Sequence, residues 1–473
     1  MFFQSQGGEK MKKDLLKALR ESKTLSLSQQ IHLIWQLSLP AIMAQLSAIV
    51  MQYIDAAMVG KLGANDSAAI GLIASSTWLF GGLCSAAVVG FTVRVAQAIG
   101  AEEQQRARNI MKLCFVAASS FFVLLALMGS IISPFLPHWL GGSEEICGGA
   151  TGYFLVYAPS LIFVGLNQLA SGMLQASGNM KLPGMMHVLM CMLDVIFNFL
   201  LIYPTRTYGK ITIWGANLGL VGASLGTALA QMVVGLILTY YLLRHCPMLR
   251  LRKGEPFVFS KTELLQSVRI SVPVAVEQIV SCGAHILFTA IISPLGNIAI
   301  AANSFAITAE SLCYMPGYGI GRAATTLIGQ SVGAGRKDLT KRLGWLTTLL
   351  GTFIMAISGI LLYVAAPLMM RLLTPDTKIV VLGVKVLRIE AVAEGLYGAS
   401  IVALGVFQGA GDTLIPSLMN LVSMWAVRLP LAAILAKNHG LTGVWVAMCL
   451  ELCFRGIIFL VRLSGKGWRK QRE

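Results

Sequence analysis

Asp55, Asp194, Glu277, Glu310, Glu390 and Glu394 each stand inside a long apolar stretch of this chain. A carboxylate in such a place costs roughly 2.5–3.5 kcal/mol on membrane-insertion scales, so each acid calls for a task or a partner. The chemistry open to acids there is reversible binding of a proton or a small cation. His187, Asp194 and Asn198 fall at i, i+7 and i+11, one face of a helix, and three polar groups on one stripe point to a wet cavity. Glu277 follows Pro273, with Ser281 and His285 at successive turns. Glu390 and Glu394 are four apart, a like-charged pair suited to carrying a proton, with Glu390 placed near the outer surface beside Arg388. Glu310 has no partner along its own helix. Arg322, Arg428 and Arg455 also lie within apolar stretches and are positioned to neutralise acids; Glu451, one turn from Arg455, pairs with it. Arg94 reads as snorkelling to lipid phosphate.

The elements that hold these residues are membrane helices. The chain has 473 residues, 56% hydrophobic and 12% charged, with a mean hydropathy of +0.73. A soluble domain carries about 25% charge. Twelve spans are read roughly at 31–58, 66–99, 107–133, 150–177, 183–203, 218–243, 264–293, 298–333, 340–370, 379–411, 414–437 and 441–462, each able to cross a ~30 Å core. Backbone in lipid must satisfy its own hydrogen bonds, so these runs are helices, and Pro40, Pro159, Pro273 and Pro316 should bend them. The net charge of +16 sits in short loops, which marks topology and argues against a nucleic-acid partner. With both termini inside, 26 Lys and Arg face the cytoplasm and 8 face out, so the positive-inside rule sets that orientation at the plasma (inner) membrane.

Residues 1–30 read as an amphipathic cytoplasmic lead-in lying on the inner leaflet, with Lys10, Lys12, Lys13, Lys17 and Arg20 around Leu15, Leu16 and Leu19. The remainder divides into an N-lobe at 31–243, a linker at 244–263, a C-lobe at 264–462 and a basic tail at 463–473. The two lobes repeat one another at an offset of 233: Pro40 maps to Pro273, Leu62-Gly63 to Leu295-Gly296, Gln97 to Gln330, Gly100-Ala101 to Gly333-Ala334 and Gly178 to Gly411. After span five the offset becomes 221, where Gly219-Leu220-Val221-Gly222 matches Gly440-Leu441-Thr442-Gly443. Six spans is an even number, so the repeats run parallel about a pseudo-two-fold axis along the membrane normal, and such a pair suggests a carrier with a midplane cavity.

Several readings fall away. Nine cysteines, with no CxxC, argue against a disulfide framework or a zinc site. Gly222-Ala223-Ser224-Leu225-Gly226 fits the GxSxG hydrolase pattern, but it lies mid-span without a triad, so helix packing is its better account. No phosphate loop or nucleotide domain is present, which excludes ATP-driven pumping by this chain alone; no nucleophile or metal cluster marks an enzyme, and no cofactor is implied beyond a coupling ion. Met185, Met186, Met190 and Met192 read as lipid-facing packing, with an adaptable drug pocket as the lesser reading.

Gln52-Tyr53-Ile54-Asp55-Ala56-Ala57-Met58-Val59-Gly60, the Gln-Ala-Ile-Gly-Ala run ending at Ala101, and Gln408-Gly409-Ala410-Gly411-Asp412-Thr413 resemble multidrug and toxic compound extrusion (MATE) transporters of the NorM-like or DinF-like kind, over about residues 30–462. The resemblance implies export of lipophilic, often cationic small molecules driven by inward H+ or Na+, by a monomer. A flippase for a lipid-linked precursor, from the wider superfamily, is the alternative; it should favour a cationic cavity. The resemblance further implies that Asp55 belongs to the N-lobe cavity. The family commonly shows Asn followed four residues later by Asp or Asn, whereas here Asp194 precedes Asn198. NorM-like members hold a cation-binding acid near Ser281 rather than at Glu277, and another towards Tyr397 rather than at Glu394. The resemblance thus carries the cation-binding role to these helices rather than to Glu277 or Glu394 themselves, which are the acids open to a sodium ion there.

Overall fold

The computed structural model describes residues 15–20, 25–208, 211–252 and 254–469. Among the described residues, nine long helices follow one another: α1 (Leu27–Gly60), α2 (Ala64–Gly100), α3 (Gln104–Ile132), α4 (Glu144–Ala176), α5 (Lys181–Ile202), α6 (Gly219–Arg244), α7 (Lys261–Ile292), α8 (Asn297–Gly333) and α9 (Lys337–Leu373). After them come α10 (Thr377–Glu390), α11 (Glu394–Gly409), α12 (Leu414–Val422), a π-helical turn at Ser423–Arg428 and α13 (Leu429–Ser464). Hydroxyls inside these helices bond back to carbonyls one turn earlier, as Thr92 does to Val88 and Thr348 to Gly344. Such polar groups are thereby satisfied without water.

The twelve segments are present among the described residues, three of them in altered form. Span ten is not continuous: Val392 and Ala393 N–H groups bond back three residues, to Ile389 and Glu390, and divide α10 from α11. A continuous helix would stack Glu390 and Glu394 on one face, where like charges repel; the tighter turn takes them off that register. Spans eleven and twelve meet at Gly440, whose backbone (φ 57°, ψ −143°) is non-helical. The loop after span five carries an antiparallel hairpin, β1 (Pro204–Tyr208) and β2 (Ile211–Ala216), where the sequence pattern predicts only a longer loop.

The repeat recurs in the backbone. Positive φ falls at Gly63 and Gly296, at Glu102 and Gly335, and at Gly178 and Gly411, each pair 233 apart, and at Gly219 and Gly440, 221 apart. Glu102 is the informative member, because a side chain there accepts a left-handed conformation that its mate gives to glycine.

The chain forms two compact units, one of residues 47–95 and 104–275, the other of 1–46, 96–103 and 276–473. In the first, α3, α4, α5 and α6 pack in succession, and α2 meets α7 so closely that a Cβ on Gly90 would lie 1.9 Å from the Ser267 carbonyl oxygen. In the second, α8, α9 and α11 pack together, and α8 meets α1 at Gly319, where a Cβ would lie 2.6 Å from Ile42 N. Leu15, Leu16 and Leu19 are buried in protein rather than laid on lipid, and Arg336 donates to the Leu19 carbonyl. Lys10, Lys12, Lys13 and the tail beyond Arg469 lie outside the described residues.

In the first unit the linker is clasped by ion pairs. Arg108 donates to both oxygens of Glu255 at 2.7 and 2.6 Å, and Glu263 pairs with Arg94 at 2.9 Å and Arg106 at 2.7 Å. Arg94 therefore answers a carboxylate and not lipid phosphate, because the start of α7 brings Glu263 within its reach. The Arg108 guanidinium holds the Glu255 carboxyl below its ordinary range. A group depressed in the folded state contributes fully at neutral pH, and the contribution is lost as pH falls through the lowered value, below glutamate's usual ~4.3. Hydrogen exchange in residues 254–263, corrected for intrinsic rate, is expected to stay slow from pH 7 to 5 and to quicken below about pH 4. Unchanged protection at pH 3 would show that the clasp is not electrostatic.

Candidate functional site

In the first unit, α1 and α5 bring together three groups from the sequence reading. The Tyr203 hydroxyl, just beyond α5, donates to the Met58 carbonyl of α1 at 2.9 Å and holds the two helices at this level. Asn198 Nδ2 then donates to Asp55 Oδ1 at 2.8 Å and to Asp194 Oδ2 at 3.1 Å, so one amide bridges two carboxyls. Asp194 and Asn198 are 0% exposed. Room for the amide comes from α6, where a Cβ on Gly226 would lie 2.1 Å from Asn198 Oδ1. The GxSxG pattern is thus helix packing: Gly222 abuts the Leu201 carbonyl and Ser224 donates to the Tyr153 carbonyl at 3.0 Å. No basic side chain among the described residues pairs with Asp55 or Asp194. Two carboxyls sharing one amide, with no counter-charge, can hold one small positive charge. His187, on the same helix, bonds to neither Asp194 nor Asn198.

In the second unit, Glu277 of α7 accepts from Ser417 Oγ at 2.5 Å and Asn420 Nδ2 at 2.6 Å, both on α12. The sequence reading missed these partners, although Ser417 and Asn420 at i, i+3 share a face of an apolar span. Trp425 Nε1 donates to the Val280 carbonyl at 3.3 Å and ties the π turn to α7. Ser281 and His285 are not drawn into the bonds around Glu277; Ser281 is half-buried and His285 exposed.

Deeper in that unit lies an ionic nest. Glu451 of α13, 0% exposed, accepts from Arg428 at 2.6 and 2.9 Å, from Arg455 at 2.8 Å twice, and from Ser423. Residues five apart on an α-helix point about 140° apart; the wider π turn is what lets Ser423 and Arg428 both reach Glu451. Glu310, Glu390 and Glu394 are all buried nearby, within electrostatic reach of one another, and Arg428 is felt at Glu310 and Glu390. Neither carboxyl oxygen of Glu390 or Glu394 has a hydrogen-bond partner among the described residues. Tyr397 stacks edge-on to Tyr314 at 5.9 Å, with Arg455 5.8 Å from its ring. Such acids and aromatics can hold a cation, and the acids outnumber the arginines beside them.

The MatE family model matches this chain twice, over residues 40–200 and 273–434, and the two matches begin 233 residues apart. The chain belongs to the MatE family. Among its relatives, a probable multidrug resistance protein NorM of Thermotoga maritima is 28% identical over 447 residues, 92% of each chain. One of Brucella suis is 27% identical, again over 92% of both. Among solved structures, the outward-facing conformation of a multidrug resistance MATE family transporter superposes with TM-score 0.85 at 20% identity, over 92% of this chain and 96% of that one. The Vibrio cholerae MATE transporter VcmN, in its bent form, gives 0.83 at 19% identity, over 93% and 98%. The fold is that of MATE transporters, and the protein is a multi-pass membrane protein of this transporter family, not an enzyme.

Within this MatE chain three sequence expectations need correction. Glu390 is not at the outer surface: it is 1% exposed, while Arg388 turns away to the Tyr363 carbonyl and ring. Arg455 pairs with Glu451 as the four-residue spacing implies, and Arg428 joins it on that carboxylate rather than on one of the candidate acids; Asp412 of the family-like motif pairs with Arg462. Arg322 neutralises no acid; it forms no hydrogen bond or ion pair with a described residue. Met185 and Met192 are exposed on the apolar surface, whereas Met190 is buried and accepts from Asn167.

Proposed function

We propose that this MatE chain is a secondary active antiporter that exports lipophilic, often cationic compounds in exchange for H+ or Na+, as a monomer in the inner membrane with both termini cytoplasmic. The observation that carries the reading is the Asp55–Asn198–Asp194 bridge, an uncompensated carboxyl pair joined by one amide. Binding one positive charge relieves the repulsion between the two carboxyls, and the ion supplies energy only through different affinity for two conformations. Glu277 and the Glu310, Glu390 and Glu394 nest offer the second unit the same chemistry. The multidrug resistance names of the relatives supply the substrate class, and the cytoplasmic excess of Lys and Arg supplies the orientation.

Liposomes holding the purified protein, loaded with a fluorescent lipophilic cation, are expected to release it when a pH or a sodium gradient is imposed. Setting ΔpH against ΔpNa in one vesicle preparation assigns the ion. Flux under neither gradient would overturn the antiport reading.

A further inference from the structure

Arg322 is a cation in the apolar body of α8 with no counter-charge among the described residues. An ionisable group inside a span is ordinarily paired or functional. Its surroundings show what it faces. From Gly317 to Ser331 every residue of α8 is buried except Tyr318, Arg322 and Thr325, which lie on one narrow face. Towards the start of α8 the same face continues through Tyr314 and Ser311, with Met315 at its edge and the apolar Ile307 beyond, so its polar part runs from Ser311 to Thr325. A surface turned to lipid looks different: on α9 the accessible stripe is Phe353, Ile357, Ile360, Val364 and Leu368, all apolar. The Arg322 stripe therefore has the character of a wetted wall.

The wall carries aromatic rings. Tyr314 contacts Tyr318 and Tyr397 edge-on at 5.9 Å each, and Tyr318 is 39% exposed. Glu277 lies within electrostatic reach of Tyr318. One helical turn, about 6 Å of rise, separates Tyr318 from Arg322. The tyrosines thus have an acid within electrostatic reach and an unpaired guanidinium one turn along the helix.

We propose that Arg322 is a recognition point for a carboxylate, and that this face of α8 accepts aromatic zwitterions: ring on the tyrosines, carboxylate on Arg322, amine towards Glu277. This deepens the export reading and rests on it for the transport of such compounds. The planar guanidinium donates to both carboxylate oxygens, a pairing whose loss typically costs about tenfold or more in affinity.

The test uses a matched pair of dyes, zwitterionic rhodamine B and its ethyl ester, which lacks the carboxylate. Fluorescence anisotropy with the full chain in detergent is expected to show that Arg322→Gln weakens rhodamine B binding about tenfold or more. Ester binding should stay within about twofold, which also reports that the variant is folded. Arg322→Lys should retain part of the preference. Equal effects on both dyes, or no effect on either, would overturn the assignment. So would displacement of rhodamine B by added phosphatidylglycerol in wild type but not in Arg322→Gln, which would give the arginine to a lipid phosphate. Gradient-driven efflux of the ester from liposomes is measured alongside: its absence would sink the antiport reading and leave the binding comparison intact.

Discussion

Asp194→Asn is expected to abolish gradient-driven efflux of a fluorescent lipophilic cation while leaving the amount of folded protein at the wild-type level. The substitution removes a charge and almost no volume, so the seam of α5 against α6 keeps its packing. What it removes is half of the carboxyl pair that Asn198 bridges. With one acid left, the repulsion that a bound cation relieves is gone, and the ion no longer distinguishes the two conformations that transport requires. A ligand with equal affinity for both states shifts neither. The measurement is efflux from liposomes under the gradient that drives the wild type. Undiminished flux at equal protein would show that the pair is structural. Asn198→Leu separates the roles further: it leaves both carboxyls but removes the bridge, and should slow efflux without eliminating it.

How far such a site could be read beforehand depended on whether its parts share a helix. Asp194 and Asn198 were legible because a four-residue spacing fixes a common face whatever the tertiary fold. Asp55 was legible as an acid in the wrong environment, but its joining to Asn198 was not, because no spacing relates α1 to α5. The same limit hid Ser417 and Asn420 from Glu277, and Glu263 from Arg94. Helical periodicity carried the spans, and the 233-residue offset carried the repeat, since duplicated turns keep the glycines their backbone requires. Local departures were harder. The turn between α10 and α11 contains only alanine and valine, residues with no breaking tendency of their own. The π turn before α13 likewise follows from what Ser423 and Arg428 must reach. Both departures occur beside buried charge, where tertiary interactions outweigh local preference.

Those buried charges set the second large expectation, that Glu451→Gln destabilises the protein by about 3–5 kcal/mol. Glu451 is the one acid in the nest that is saturated, taking bonds from two guanidinium groups and a hydroxyl. With it, the local balance is two arginines against Glu310, Glu390, Glu394 and Glu451. Without it, Arg428 and Arg455 remain close together and buried, and lose the charge that holds them side by side. Breaking a buried pair from one side is costlier than never having made it. The midpoint of heat-induced aggregation in detergent should therefore fall markedly for Glu451→Gln and recover part of the loss in the double variant Glu451→Gln with Arg428→Gln. Heat resistance equal to wild type in the single variant would mean that Glu310 or Glu390 takes over the arginines at no cost. The double variant also distinguishes stability from transport. Removing one acid and one arginine keeps the balance of the nest, so any loss of efflux that persists after stability has recovered belongs to the π turn's placement of Arg428 beside the other acids.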